Sequence, residues 1–425
     1  MFRPRHISLI ALACTWAMPA HAFEFFDDML RIEGFGTLGA FSSDLDSSKV
    51  PTPAGRPKVD PQVRADVRES HGSVDNHVIY DADTSLSVQA TLNPNGAVQG
   101  VLQLLSKQDI HASQKPEVEW AYLGWQATPD VRLKFGRVVA PIFMLSDARN
   151  VAYSQTMVRP FTSVYALNPI THLDGGNALW EGRLGPYKLD VEGMLGRTSV
   201  ELPSGTFKVP SIHGVSARLT RGEWSVRAGT SHLDVDIDLL PSVQARLNAA
   251  TQNSAACPNC GTVLSARTGL RNQQLDIFTL GGQWEHDDLS VTAEFANRKG
   301  TTLLAPSYQS YYILGSWRFN AWTPYVAWGR ARNTESPLGL QNPTNNSAIA
   351  DLDDARAFGR PNRTEQTLGL RWDFMPKAAL KAQWTQLRLA NPRVGAVGGQ
   401  VQYYIPNSTF GGTINTYALN LDFIF

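Results

Sequence analysis

After Ala22 the chain contains no apolar run near the roughly 18 residues that a membrane-spanning helix requires. Cysteine is scarce, with three among 425 residues. Net charge is missing as well: 38 basic residues meet 38 acidic ones. A nucleic-acid-binding surface asks for a strong basic excess, so that partner is excluded. Gly-x-Ser-x-Gly and His-Glu-x-x-His are both absent, which removes the commonest hydrolase and metalloprotease signatures. Nine histidines are scattered, and none forms a metal-ligand spacing. The expectation is a protein that is not an enzyme and needs neither cofactor nor metal.

The N-terminus is patterned for export. Arg3 and Arg5 precede a short apolar stretch from Ile7 to Ala13, and Ala20-His21-Ala22 offers a small-x-small cleavage site. Residues 1–22 therefore read as a signal peptide that is removed, leaving 23–425 as one domain. In a rival reading Cys14 is lipidated, but Ala11 stands where such a signal prefers a bulky aliphatic residue. Cys257 and Cys260, in Cys257-Pro258-Asn259-Cys260, remain in the exported chain. They read as a local disulfide in an oxidising compartment or, in a βαβ setting, as a redox pair. Two cysteines are too few for a structural zinc site.

Hydrophobic residues make up 43% of the chain, and mean hydropathy is −0.22. An exported membrane protein without a spanning helix must be a closed barrel, because only helices and closed sheets satisfy every backbone group in lipid. The pattern agrees. Tyr417, Leu419, Leu421, Phe423 and Phe425 share one side of an extended strand, with Thr416, Ala418, Asn420 and Asp422 on the other. Leu368, Leu370, Trp372 and Phe374 oppose Thr367, Arg371 and Asp373; Leu380, Ala382 and Trp384 oppose Lys381, Gln383 and Thr385. About sixteen such segments follow one another, joined alternately by tight turns and by longer connections. The fold class predicted is all-β, a transmembrane antiparallel barrel of about sixteen strands. Trp120, Tyr122, Trp317, Phe319, Trp322, Trp328 and Trp372 cluster near strand ends, as interfacial girdles do. Some strands are untidy. Phe278, Leu280 and Trp284 oppose Leu275 and Ile277, which reads either as a flank buried against another subunit or as a register error.

The terminal Phe425 resembles the ending of outer-membrane barrel strands. Phe135-Gly136-Arg137 resembles the glycine-arginine step that leads into the third outer loop of the general diffusion porins of Gram-negative outer membranes. Topology, leader and terminal Phe are similar to that family across the mature chain. The resemblance implies residence in the bacterial outer membrane, contact with its lipid, passive passage of small hydrophilic solutes and ions, and a homotrimer. The acidic Pro-Glu-Phe-Gly-Gly pattern of the best-known members is missing, so their constriction residues do not transfer.

The third outer loop, after Val138, is unusually apolar, with Ile142, Phe143, Met144, Tyr153, Met157, Phe161, Val164 and Tyr165. It is expected to fold into the lumen, because an exposed loop would not carry this composition. Asp147, Arg149, Arg159 and Asp174 are its candidate constriction charges. Arg132, Lys134, Arg371 and Lys381 are candidate pore-lining residues by alternation. The first outer loop, 42–83, is polar and expected to be exposed, and Leu239–Leu247 reads as a short surface helix or a subunit contact. The rival functions are a substrate-specific channel for sugar, phosphate or carboxylate, an outer-membrane enzyme, and a structural barrel.

Overall fold

A computed structural model of the protein describes residues 23–25, 29–49, 62–64, 66, 68–165, 168–252, 258–335, 362–389 and 412–425. The expected leader and the Cys257–Cys260 bridge lie outside the described residues. A short β1, Phe23–Phe25, precedes β2, Leu30–Ser43. Then come β3, Ser85–Leu92; β4, Val98–Lys107; β5, Glu117–Thr128; β6, Val131–Val139; and β7, His172–Leu184. The long trio β8, Tyr187–Leu202; β9, Gly205–Arg221; and β10, Trp224–Leu239, follows. The ring is completed by β11, Gln273–His286; β12, Leu289–Gly300; β13, Tyr308–Trp317; β14, Trp322–Asn333; β15, Arg363–Met375; β16, Ala378–Leu389; and β17, Gly412–Ile424. The sheet counts seventeen strands; setting β1 aside leaves sixteen in the ring. Each pairs antiparallel with its chain neighbours, and β17 closes on β2 with Leu421 opposite Leu38 and Phe423 opposite Gly36. The barrel is of the kind found in the bacterial outer membrane.

Alternation sorts the two faces as expected. Leu368, Leu419 and Phe135 stand 57%, 49% and 56% exposed on the outside, while Thr367, Glu365 and Thr416 are buried within. Outside, Trp322 and Trp372 stack at 4.9 Å beside the turn end of β14. Trp120 and Tyr122 depart from the expected girdle. They pair with the inward, buried Gln103 and Val101, and so face the interior.

Two expectations are corrected at the outer rim. Residues 198–211, which the sequence pattern gives as one of the longer connections, hold a tight turn instead, because β8 and β9 stay paired up to Leu202 and Gly205. These strands, with β10, run 16, 17 and 16 residues. A spanning strand needs about 9–11, so their outer ends stand clear of lipid. Freed of the lipid rule, they carry apolar residues on the inner face instead. Leu233, Val235 and Ile237 pack there with Leu275 and Ile277 beneath two helices, α1 (Pro241–Ala250) and α2 (Cys260–Ser265). Val243, Leu247 and Leu264 supply the helical side of this core. The inward apolar row of β11, Leu275 and Ile277, is thus an internal core, and the strand's register is regular rather than in error.

An arginine on the lipid face near mid-strand costs about 2–4 kcal/mol. Leu368→Arg should therefore lower the stability of the refolded barrel by that amount in urea titration from lipid vesicles. A loss within error of wild type would show that this face does not meet lipid.

Candidate functional site

The third outer loop, residues 140–171, begins at a glycine that the geometry demands. Gly136 has φ +128°, and a Cβ there would lie 2.3 Å from the Ala121 carbonyl oxygen. The loop is pinched at its base, where the Ala140 amide donates to Thr171 O at 3.0 Å. From there it crosses the lumen to the far wall. Phe161 stacks on Tyr312 at 4.9 Å. It fits because position 329 is glycine, whose Cβ would sit 2.4 Å from the Phe161 ring. Phe143 packs on Tyr165 at 5.2 Å, and Ile142, Phe143, Met157, Phe161, Val164 and Tyr165 are buried.

Burying an irregular loop requires partners for its backbone. Wall side chains supply them. Arg227 on β10 donates to the carbonyls of Pro141 and Ile142. Arg371 on β15 donates to Tyr153 O and Gln155 O at 2.6 and 2.8 Å. Lys381 on β16 donates to Ala152 O at 2.7 Å and Met157 O at 3.1 Å, and pairs with Asp422 at 2.9 Å. Of the acids, Glu294 on β12 accepts from the Met144 amide and the Tyr165 hydroxyl. Glu365 on β15 accepts from the hydroxyls of Thr162 and Ser163. Burial, then the nearby Glu294 carboxyl, hold the Tyr165 hydroxyl well above its usual range.

The expected charges have divergent fates. Among the candidate wall residues, Lys381 is fully buried under the loop. Arg371 lies below it, also chelating Asp373. Arg132 donates to Gln126 at 3.0 Å, and Lys134 sits 5.4 Å from the Tyr122 ring centroid. In the loop, Arg159 pairs with Asp83 and covers the Phe41 ring at 4.9 Å. Arg149 donates to Asn168 O and lies 3.7 Å from Asp66. Asp174 is on the outward face of β7, gripped by Arg137 at 2.7 Å. Asp147 alone of these four is exposed, and among the described residues it makes no ion pair. It interacts electrostatically with Tyr122 and with Glu192 on β8.

The first outer loop is not simply exposed, as composition suggested. In its described part Phe41 pairs with Ile79 and Val63 with Ser73, and Val63 and Ser73 are fully buried. It packs beside the third loop. Burial raises the Asp66 carboxyl, but Arg68, Lys107 and Arg149 outweigh that and hold it far below its ordinary range. Among the described residues, cavities lie between the two loops and the wall. One of about 1150 Å³ lies beneath the third loop, lined by Tyr153, Arg318, Arg371 and Asp373. A second, of about 520 Å³, opens at the outer ends of β4, β5, β7 and β8. A small one, about 130 Å³, lies between the loops and is partly open. The anchoring roles of Arg227, Glu294, Glu365 and Asp422 went unforeseen; the only available signal was a charge on an inward position facing a loop too apolar to be outside.

No family model matches the chain, and no curated protein sequence does. Solved structures do match. The outer-membrane channel DcaP of Acinetobacter baumannii aligns with TM-score 0.54 and 11% identity over 95% of this chain and 99% of that one. An anion-selective porin from Comamonas acidovorans aligns with TM-score 0.53 and 10% identity, covering 93% and 99%. OmpT of Vibrio cholerae, expressed in the outer membrane, gives TM-score 0.53 and 11% identity, covering 95% and 100%. The shared feature is the closed barrel.

Removing one partner of a buried ion pair costs about 3–5 kcal/mol, because the other charge is stranded. Lys381→Met should lower stability by that order in urea titration of the detergent-solubilised barrel. It should also expose the 152–157 segment to limited proteolysis. Unchanged cleavage would mean that the lysine does not hold the loop.

Proposed function

We propose that this barrel, sharing its fold with outer-membrane porins, is a passive channel for small hydrophilic solutes and ions moving down their own gradients. One observation supports the reading above the others. The third loop is anchored on the wall from β10 to β16, while the inner faces of β5, β6 and β8 carry charged and polar groups opposite the exposed Asp147. A barrel this wide leaves an aqueous lumen that side chains alone do not fill. In this reading the passage runs between Asp147 and the wall residues Tyr122, Lys134 and Glu192. Both signs line it, so solutes are sorted by size and by the local field. Assembly as a homotrimer belongs to the same proposal and follows from the resemblance to general diffusion porins. The mass of the native protein in detergent tests it.

Planar-bilayer recording tests the channel directly. Folded protein should give discrete ion currents; absence of conductance would end the proposal. Block by a sugar, phosphate or carboxylate at micromolar concentration would turn the reading to a dedicated channel. Two unit charges about 5 Å apart in water interact by roughly 1 kcal/mol. Asp147→Lys should thus shift the cation-to-anion permeability ratio toward anions, on the order of tenfold at low salt. An unmoved reversal potential would place the passage elsewhere. Deleting residues 142–170 should enlarge the conductance, and an unaltered value would remove the loop's constricting role.

A further inference from the structure

The outward face of the long strands carries a cluster that a channel does not use. His213 on β9 stands directly across from His232 on β10, and Asp276 on β11 stands across from His232 on its other side. Ile212, Leu233, Leu275 and Ile277 are buried inward, so alternation turns His213, His232, Asp234 and Asp276 to the outside. His232 is the ninth residue of β10, and a spanning strand needs about 9–11. The four side chains therefore stand where the sheet leaves lipid, one step above the exposed apolar Val215 and Phe278.

Their spacings are those of ligands around an ion. The His213 and His232 ring centroids are 5.2 Å apart and the rings are tilted by 44°. Two imidazoles on one tetrahedral ion, each bonded at about 2.1 Å, set their centroids roughly 5 Å apart. Asp234 Oδ1 lies 3.7 Å from His232 Nε2. That is too long for a hydrogen bond and close to the roughly 3.4 Å between two ligand atoms on such an ion. The other ring nitrogen of His232, Nδ1, is 2.7 Å from Asp276 Oδ1. An ionised carboxylate only accepts, so in the neutral ring Nδ1 carries the proton and Nε2 keeps its lone pair. Metal-bound histidines are held in the same way, by a carboxylate on the second nitrogen. Among the described residues no three such groups already form a closed cage. His213 is exposed, and its ring closes the site by turning about its own bonds, a motion that exposed side chains make in nanoseconds or less. Two imidazoles and a carboxylate suit a borderline divalent transition ion such as Zn²⁺, whereas Mg²⁺ and Ca²⁺ prefer shells of oxygen.

We propose that His213, His232 and Asp234 form a surface site for a divalent transition-metal ion at the outer rim, with Asp276 positioning the His232 ring. An ion there ties β9 to β10 above the level at which lipid supports them, and its fourth position faces the medium. The site stands whether or not the barrel conducts. Zn²⁺ is the probe. Titration calorimetry on the full chain in detergent at neutral pH should show a saturable Zn²⁺ site that excess Mg²⁺ does not displace. His213→Ala and His232→Ala should each weaken it at least tenfold while keeping the metal-free unfolding midpoint. Asp276→Asn should weaken it on the order of tenfold or more, and Asp276→Glu, which keeps a carboxylate, should recover part of the loss. Should an alanine variant misfold, His213→Gln, polar but without an imidazole, is read in its place. Absence of saturable Zn²⁺ binding by wild-type protein, equal binding by the His213 variant, or displacement of Zn²⁺ by Mg²⁺ would each overturn the proposal. Equal binding by Asp276→Asn would strike out the positioning role.

Discussion

A loop drawn into a barrel brings its peptide groups with it, and each must find a partner there. That requirement governs the interior of this protein. The third outer loop has little regular structure of its own, so the wall does for it what a ladder does for a strand. Arg227, Arg371 and Lys381 take its carbonyls, and Glu294 accepts from an amide and a hydroxyl. Charged donors and acceptors suit the task, since hydrogen bonds to charged groups are worth roughly 1.5–3 kcal/mol against about 1 for neutral ones. Those wall charges are the skeleton of the lumen. What remains open to water is the surface that the loop does not use.

The apolar part of the seat works with the polar part. Phe161 against Tyr312, and Ile142 and Phe143 in the same core, fix where the loop rests. The charged anchors then hold its backbone in register. The core continues upward through Leu233, Val235 and Ile237 to the two helices over the rim. The outer half of the barrel is thus filled on one flank and wetter on the other. A lumen beside a packed flank differs from an open tube: its bore is set by a loop anchored on the wall by both apolar and charged contacts.

Much of this was legible in the residues. The two-residue period carried the barrel, because lipid outside and water inside impose opposite rules on neighbouring positions such as Leu370 and Arg371. The apolar third loop announced its own burial. Less legible were the outer ends of β8 to β10, where no lipid enforces alternation; Thr198 to Ser211 therefore read as loop while pairing largely as strand. Least legible was the fate of each inward charge. Alternation puts Lys381 inside, but only the fold shows the Ala152 and Met157 carbonyls resting on it. For Asp174 even the direction was missed, since a residue named with a loop turned out to begin the outward row of β7. Partners remote along the chain, 224 positions apart for Lys381 and Met157, leave no local trace.

The seat of the third loop lies on strands made long after it. Its anchors are on β10, β12, β15 and β16, and Lys381 itself is held by Asp422 in the final strand. During biogenesis the loop must wait for the C-terminal half to arrive and for β17 to zip onto β2. Closure and seating are therefore ordered by the chain itself: a cylinder first, then the loop packed into it.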